Sequence, residues 1–264
     1  DAVARSIAID AGSLPDGASW GNVWVGLFNE ARAVMLNGDT GAEITSVELT
    51  DGTRTVHPYG ASLDGLGYVW FTGLEDGLLA RVDTLGGVLT EIVDKAAGTG
   101  CSSAYGIAVD VKNRVWLGGW TCNTADRYDP ADGTWATIDF SAAGRGPSVR
   151  GIAPDLAGNV WVAHTDGWVT RFDAEAMTER EAYSIPHHLG GAVMVHNTIG
   201  VGIDRNGAAW VVSQNQGYTI GTATRIIIEG AMESFPVGLF PYTYSDFTGF
   251  GMNTVTRPSG WYNM

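Results

Sequence analysis

The sequence predicts an all-β fold, a β-propeller of four-stranded antiparallel blades, and three observations predict it. Val-Trp or Ala-Trp dipeptides place Trp24, Trp70, Trp116, Trp161 and Trp210 at intervals of 46, 46, 45 and 49 residues, which is a blade length. A glycine stands ten residues before each of the last four tryptophans (Gly60, Gly106, Gly151, Gly200), and an aspartate six before (Asp64, Asp110, Asp155, Asp204). The 264 residues include 37 Gly and 10 Trp but only 17% charged side chains, a composition suited to many short strands joined by tight turns.

Each element of the unit has a physical reason. The alternating run after the glycine, as in Ile107 and Val109, is the innermost strand A, where glycine permits close backbone approach. The aspartate followed by Gly or Asn makes the A–B turn, because Asp bonds its own backbone and Gly or Asn accepts positive φ. The V-W-aliphatic run is strand B, and its tryptophan is expected to pack between neighbouring blades. Strand C ends in Arg81-Val82-Asp83, Arg127-Tyr128-Asp129 or Arg171-Phe172-Asp173, and a turn such as DPADG (129–133) or NGDTG (37–41) follows. Strand D is the outer alternating run: VLTEIVD, TWATIDF, EREAYSI.

Residues 1–264 read as a single propeller domain, with blades at about 6–55, 56–103, 104–147, 148–197 and 198–243 and a closing strand within 244–264. The first unit keeps strand A as SIAID (6–10), then carries eight extra residues in its A–B loop. The fifth has a longer B–C region around Tyr218 to Thr224. DFTGFGMNTVTRP (246–258) reads as one more strand A, with Gly249 and Asn253 in the glycine and aspartate positions. Five full blades plus one inner strand imply a six- or seven-bladed ring, completed by an upstream segment or a second chain, because an open sheet edge is a liability.

The formal net charge is −14 and the isoelectric point about 4.5. A surface this acidic repels phosphate backbones and anionic lipid, which excludes nucleic acid as a partner. No apolar run approaches the ~20 residues that span a bilayer, so membrane insertion is excluded too. Cys101 falls in the D–A loop and Cys122 in the B–C loop of one blade, on the same face. A disulfide between them is expected, and it suits an extracellular, cell-surface or periplasmic location.

The segment YGASLDGLGYVWFTGLEDGLLARVD (59–83) resembles the blades of streptogramin lyase-like (virginiamycin B lyase-like) propellers and, more loosely, NHL-like propellers. The resemblance covers residues 6 to about 258. The closing YTYSDFTGFGM (242–252) resembles uncharacterised secreted propellers of myxobacterial type. The lyase members imply a magnesium-assisted elimination that uses a His just before a strand-A glycine and Glu side chains on the same face. Here the residues before those glycines are Tyr59, Tyr105, Arg150, Ile199 and Thr248. The strand-B positions that would carry Glu hold Gly73, Gly119, His164 and Ser213. Both positions depart from the lyase pattern, so the resemblance implies the fold and not the reaction.

In a four-stranded meander the D–A and B–C connections share one end of the sheet. Ligand sites are expected there, at Tyr59, Tyr105, Trp120, Arg150, His164, Asp166 and Gln214. His164 is the candidate base, oriented by the Asp166 carboxylate. Asn29, Glu30, Glu75 and Asp76 are candidate ligands for a divalent cation, calcium or magnesium, since hard cations take several oxygens. His187, His188 and His196 form a second, less ordered metal candidate. GASWG (17–21) matches a nucleophile-elbow pattern without the strand-turn-helix context that the chemistry needs. The leading reading is a secreted, non-catalytic propeller that binds a small ligand, a glycan or a protein. A metal-assisted lyase and a structural module of a larger surface protein are the alternatives.

Overall fold

The computed structural model describes residues 2–9, 21–185, 197–214 and 220–243. The closing strand, the GASWG match, the three clustered histidines and part of the long fifth B–C region lie outside them. The described residues form five four-stranded antiparallel sheets, each with its strands in chain order. The fold is a β-propeller of four-stranded blades.

Of the described residues, those up to Ala104 belong to one compact unit and those from Tyr105 onward to a second. The first unit holds two blades. One consists of β1 (Ala4–Ile9), β2 (Val23–Leu27), β3 (Arg32–Leu36) and β4 (Glu43–Glu48). The other consists of β5 (Pro58–Leu63), β6 (Tyr68–Gly73), β7 (Leu78–Asp83) and β8 (Val88–Asp94). A short helix, α1 (Lys95–Thr99), follows β8. It is capped by the Asp94 carboxylate, which accepts from the Ala97 amide at 2.8 Å, and the sequence pattern did not signal it.

The second unit holds three blades. Their strands are β9 (Ile107–Val109), β10 (Val115–Gly118), β11 (Thr124–Asp129) and β12 (Thr134–Asp139); β13 (Val149–Pro154), β14 (Asn159–His164), β15 (Trp168–Asp173) and β16 (Thr178–Ser184); and β17 (Thr198–Ile203), β18 (Ala209–Ser213), β19 (Ile220–Ile226) and β20 (Met232–Leu239).

The repeated aspartate and tryptophan are bonded to each other. Trp70, Trp116, Trp161 and Trp210 donate their indole N–H to Oδ2 of Asp64, Asp110, Asp155 and Asp204 at 2.9, 2.9, 3.1 and 2.9 Å. The other carboxylate oxygen caps the A–B turn; Asp110 Oδ1, for one, accepts from the Lys112 and Arg114 amides at 2.9 and 3.1 Å. The turns carry the expected positive φ at Gly67, Asn113, Gly158 and Gly207.

The tryptophans also fill the space between blades. Trp24 clusters with Val69 and Phe71 of the next blade in the first unit. In the second unit, Trp116 clusters with Ile152, Val160 and Phe172, and Trp161 with Val201, Ile203 and Val211. Full burial of one such ring contributes about 5 kcal/mol of transfer free energy. The strand-A glycine has the predicted role. A Cβ on Gly151 would come within 2.7 Å of the Val201 amide nitrogen and 2.8 Å of the Gly200 Cα, so the inner strands approach backbone to backbone.

At the entry to strand A the ladder changes register. β1 shifts between Ala4 and Ser6, β5 between Pro58 and Gly60, β13 between Val149 and Ile152, and β17 between Thr198 and Gly200. Each shift sets one extra residue on strand A, a β-bulge, which re-aims a side chain at the end of a strand. Arg5, Tyr59, Arg150 and Ile199 all occupy shifted stretches. These are the positions just before the strand-A glycines, or their equivalent in the first blade.

Candidate functional site

The strand-entry end of the second unit gathers a cationic and aromatic cluster around Arg150. The guanidinium stacks over the rings of Tyr105 at 4.4 Å, Trp120 at 4.9 Å and Tyr242 at 5.7 Å from their centroids. Tyr105 and Trp120 lie against each other with centroids 5.2 Å apart and planes at 31°. Arg150 Nη1 donates to Asn197 Oδ1 at 3.0 Å, Nη2 donates to the Tyr105 hydroxyl, and the Tyr105 and Tyr242 hydroxyls are hydrogen-bonded. Asn197 Nδ2 in turn donates to Gln214 Oε1 at 2.9 Å, and the Gln214 amide to the Asn197 carbonyl at 2.8 Å.

Arg150 is 7% exposed, and its Nε–H is buried without an acceptor. Among the described residues no carboxylate pairs with it. Three other arginines of this unit differ: Arg114 pairs with Asp110, Arg145 with Glu179, and Arg171 with Glu181. A guanidinium taken out of water without a counter-charge is costly. The stacked rings offset part of that cost, since a cation over an aromatic face gains most when desolvated.

Of the residues expected to line a site, the structure joins Tyr105, Trp120, Arg150 and Gln214. It adds Asn197 and Tyr242. Asn197 precedes strand β17 much as Arg150 opens β13, so a search of every strand-A entry would have found it. Tyr242 follows the last strand of its blade, and the repeat gives it no marked position. Tyr59 belongs to the first unit, where it is buried against Phe28, with the Arg5 guanidinium 5.4 Å above its ring.

His164 and Asp166 do not form the expected base-and-carboxylate pair. The His164 side chain is fully buried, with its ring edge-on to Phe140 at 4.8 Å and Nε2 on the Thr170 hydroxyl at 2.9 Å. Its Nδ1 has no partner. Asp166 instead accepts from the Gly146 amide. Burial, aided by the nearby Arg145 charge, pushes the His164 pKa down to about 3. The imidazole is therefore neutral and closed off from solvent, which suits packing rather than proton transfer.

The expected cation ligands do not converge either. Among the described residues no group of three or more His, Cys, Asp or Glu side chains is placed to hold a metal. Asp76 is committed to the backbone: Oδ2 accepts from the His57 amide at 3.1 Å and Oδ1 from the Leu78 amide at 3.0 Å. Burial raises its pKa. Glu30 pairs with Arg32 at 2.6 Å. Gly73 stands where a lyase would carry Glu, and a Cβ there would meet the Asp76 carboxylate within 2.2 Å.

Both cysteines, Cys101 and Cys122, are disulfide-bonded, as the sequence led us to expect. Among the described residues no helix is long and apolar enough to cross a membrane.

No protein-family model matches the chain, and no curated protein matches it in sequence. Solved structures do resemble it. A catalytically inactive variant of virginiamycin B lyase from Staphylococcus aureus, solved with quinupristin, superposes with a TM-score of 0.71 at 18% identity, over 93% of this chain and 74% of that one. A streptogramin B lyase gives 0.65 at 18% identity, over 88% and 72%. Hydrazine synthase of Kuenenia stuttgartiensis gives 0.68 at 12% identity, over 90% and 69%. At such identities the likeness concerns architecture alone, and with the repeated blades it establishes that this chain has a streptogramin lyase-like β-propeller fold.

Proposed function

We propose that the protein is a binding propeller that takes a small ligand at the Arg150 cluster of its second unit. The observation that carries this reading is the buried Arg150 guanidinium, which stacks on three aromatic rings yet has no carboxylate partner among the described residues. Half-buried Trp120 and Gln214, and Tyr242 at 45% exposure, leave the cluster reachable from solvent. Aromatic surroundings with a few placed polar groups are what small-ligand sites use. Binding is favoured over catalysis because His164, the side chain nearest to a general base in the sequence reading, is sealed and neutral. The disulfide supports an oxidising compartment, and hence a secreted or periplasmic protein.

The test is a thermal-shift screen of a chemically broad small-molecule library against the wild type and Arg150→Met. The reading expects ligands that raise the wild-type Tm and lose that effect in the variant. Hits that stabilise both proteins equally, or no hits at all, would overturn it.

A further inference from the structure

The geometry points to an aromatic monocarboxylate as the ligand of the Arg150 cluster, its carboxylate on the Nε edge of the guanidinium and its ring against Trp120 and Tyr242. This rests on the binding role proposed above and adds the chemical class. The first argument is the hydrogen-bond inventory. Arg150 commits Nη1 to Asn197 and Nη2 to Tyr105 and leaves Nε–H buried with no acceptor. Asn197 turns its oxygen to Arg150 and its nitrogen to Gln214, which fixes Gln214 with its oxygen inward. No described residue accepts from the Gln214 side-chain nitrogen. Both open groups are N–H donors, so the missing partner is an acceptor. Arg81 and Arg171 also bury an Nε without a hydrogen bond, but each already holds a carboxylate, Glu91 at 3.1 Å and Glu181 at 2.9 Å. Among the described residues Arg150 has no such carboxylate, and a ligand can bring one.

The second argument is charge. Among the described residues Arg150 is the only cationic side chain in the cluster, and the chain carries a net charge of −14. One guanidinium balances one negative charge. A phosphate dianion would leave charge uncompensated in a strongly negative field, whereas a carboxylate matches both the charge and the planar fork of an arginine edge. The third argument is shape. The guanidinium lies beside both Tyr105 and Trp120, whose own centroids are 5.2 Å apart, while Trp120 is half-buried and Tyr242 exposed. A flat aromatic body extends that stack, gaining from ring-ring contact and area burial.

The experiment is calorimetric titration of the full chain with benzoate and phenylacetate, beside acetate, benzyl alcohol, phenyl phosphate and a neutral disaccharide. Arg150→Lys and Trp120→Leu are titrated in parallel, with circular dichroism and Tm confirming that each folds. The aromatic carboxylates are expected to bind at least tenfold more tightly than benzyl alcohol, acetate or phenyl phosphate. Arg150→Lys, which keeps the charge but loses the fork, is expected to weaken them about tenfold, and Trp120→Leu to weaken benzoate more than acetate. Benzyl alcohol or phenyl phosphate binding as tightly as benzoate would overturn the inference. So would an absence of benzoate and phenylacetate binding. Disaccharide binding that is lost in Arg150→Lys would also overturn the carboxylate class but leave the binding role standing. Binding of every probe indifferent to both substitutions would remove the two together.

Discussion

Trp116 Nε1 lies 2.9 Å from Oδ2 of Asp110, and that same oxygen takes Nε and Nη2 of Arg114 at 2.8 and 2.7 Å. All three side chains are buried. One carboxylate therefore closes a turn, orients an inter-blade ring and neutralises a guanidinium. The equivalent Asp204 also holds Trp210 at 2.9 Å, but it is only partly buried and its arginine, Arg225, stands 3.8 Å away.

The two aspartates should respond differently to removal. Asp110→Ala takes from buried Arg114 one of its two carboxylates, leaving Glu175 at 2.7 Å, and also loses the turn cap and the indole bond, so it is expected to cost about 2–4 kcal/mol. Asp204→Ala loses a turn cap and one indole bond and is expected to cost about 1–2 kcal/mol. Urea unfolding of both variants checks this, and equal losses would show that the buried charge does not matter.

Gly151→Ala places a methyl against the neighbouring inner strand, 2.7 Å from the Val201 nitrogen. Backbone cannot rotate away as a side chain can, so a loss of about 1–3 kcal/mol is expected. Gly158 has a φ of +79° and open space around its would-be Cβ. Gly158→Asn should therefore cost less than 1 kcal/mol, because Asn tolerates the left-handed region. The urea midpoints of the two variants should fall in that order.

His164 makes stability depend on pH. Its folded pKa, lowered to about 3 by burial and by Arg145, lies well below the ordinary 6.5. The unfolded chain thus binds a proton that the folded chain refuses. Stability is full above pH 6.5 and falls as the pH drops from there toward 3, with a slope approaching ~1.4 kcal/mol per pH unit from this group. His164→Asn should flatten the decline between pH 6.5 and 5, above the range where the carboxylates titrate. Parallel urea titrations across that interval would show it, and identical slopes would exclude the assignment.

Reducing the disulfide should destabilise the fold by about 3 kcal/mol, the figure for a loop of roughly 20 residues. The Cys101→Ser, Cys122→Ser double variant should match the reduced wild type in chemical denaturation. A wild type indifferent to reductant would mean that the closed loop is restrained by other contacts.

The fold was legible because its determinants repeat. Glycine, aspartate and tryptophan recur in a fixed frame, so each copy reinforces the assignment of the others, and even the face of each loop followed from it. The indole-carboxylate bond was not legible, because spacing reveals that two residues recur and not that they touch. The candidate site was half legible. Tyr105, Trp120, Arg150 and Gln214 were found from their position on the connecting end of the blades. Tyr242 was not, because a residue outside the repeat leaves no periodic trace, whereas Asn197 stands at a strand-A entry, a position the repeat does mark. His164 misled for a physical reason. A histidine at a strand end reads as polar and accessible, but this one points toward Phe140 and Thr170 and is sealed there. The acidic residues misled likewise, because Asp76 and Glu30 serve nearby amides and an arginine rather than a cation.

The register shift at the start of strand A reaches beyond this one ligand site. The residue in the bulge is released from the regular ladder, while the aspartate that closes the turn sits at the opposite end of the same strand. Across four blades that slot holds Arg5, Tyr59, Arg150 and Ile199, side chains as unlike as a cation, a phenol and an aliphatic. A lineage built on such blades can exchange what it presents at the slot without disturbing what keeps the blade folded. Recognition and robustness are inherited on separate ends of one strand, and each can drift while selection holds the other.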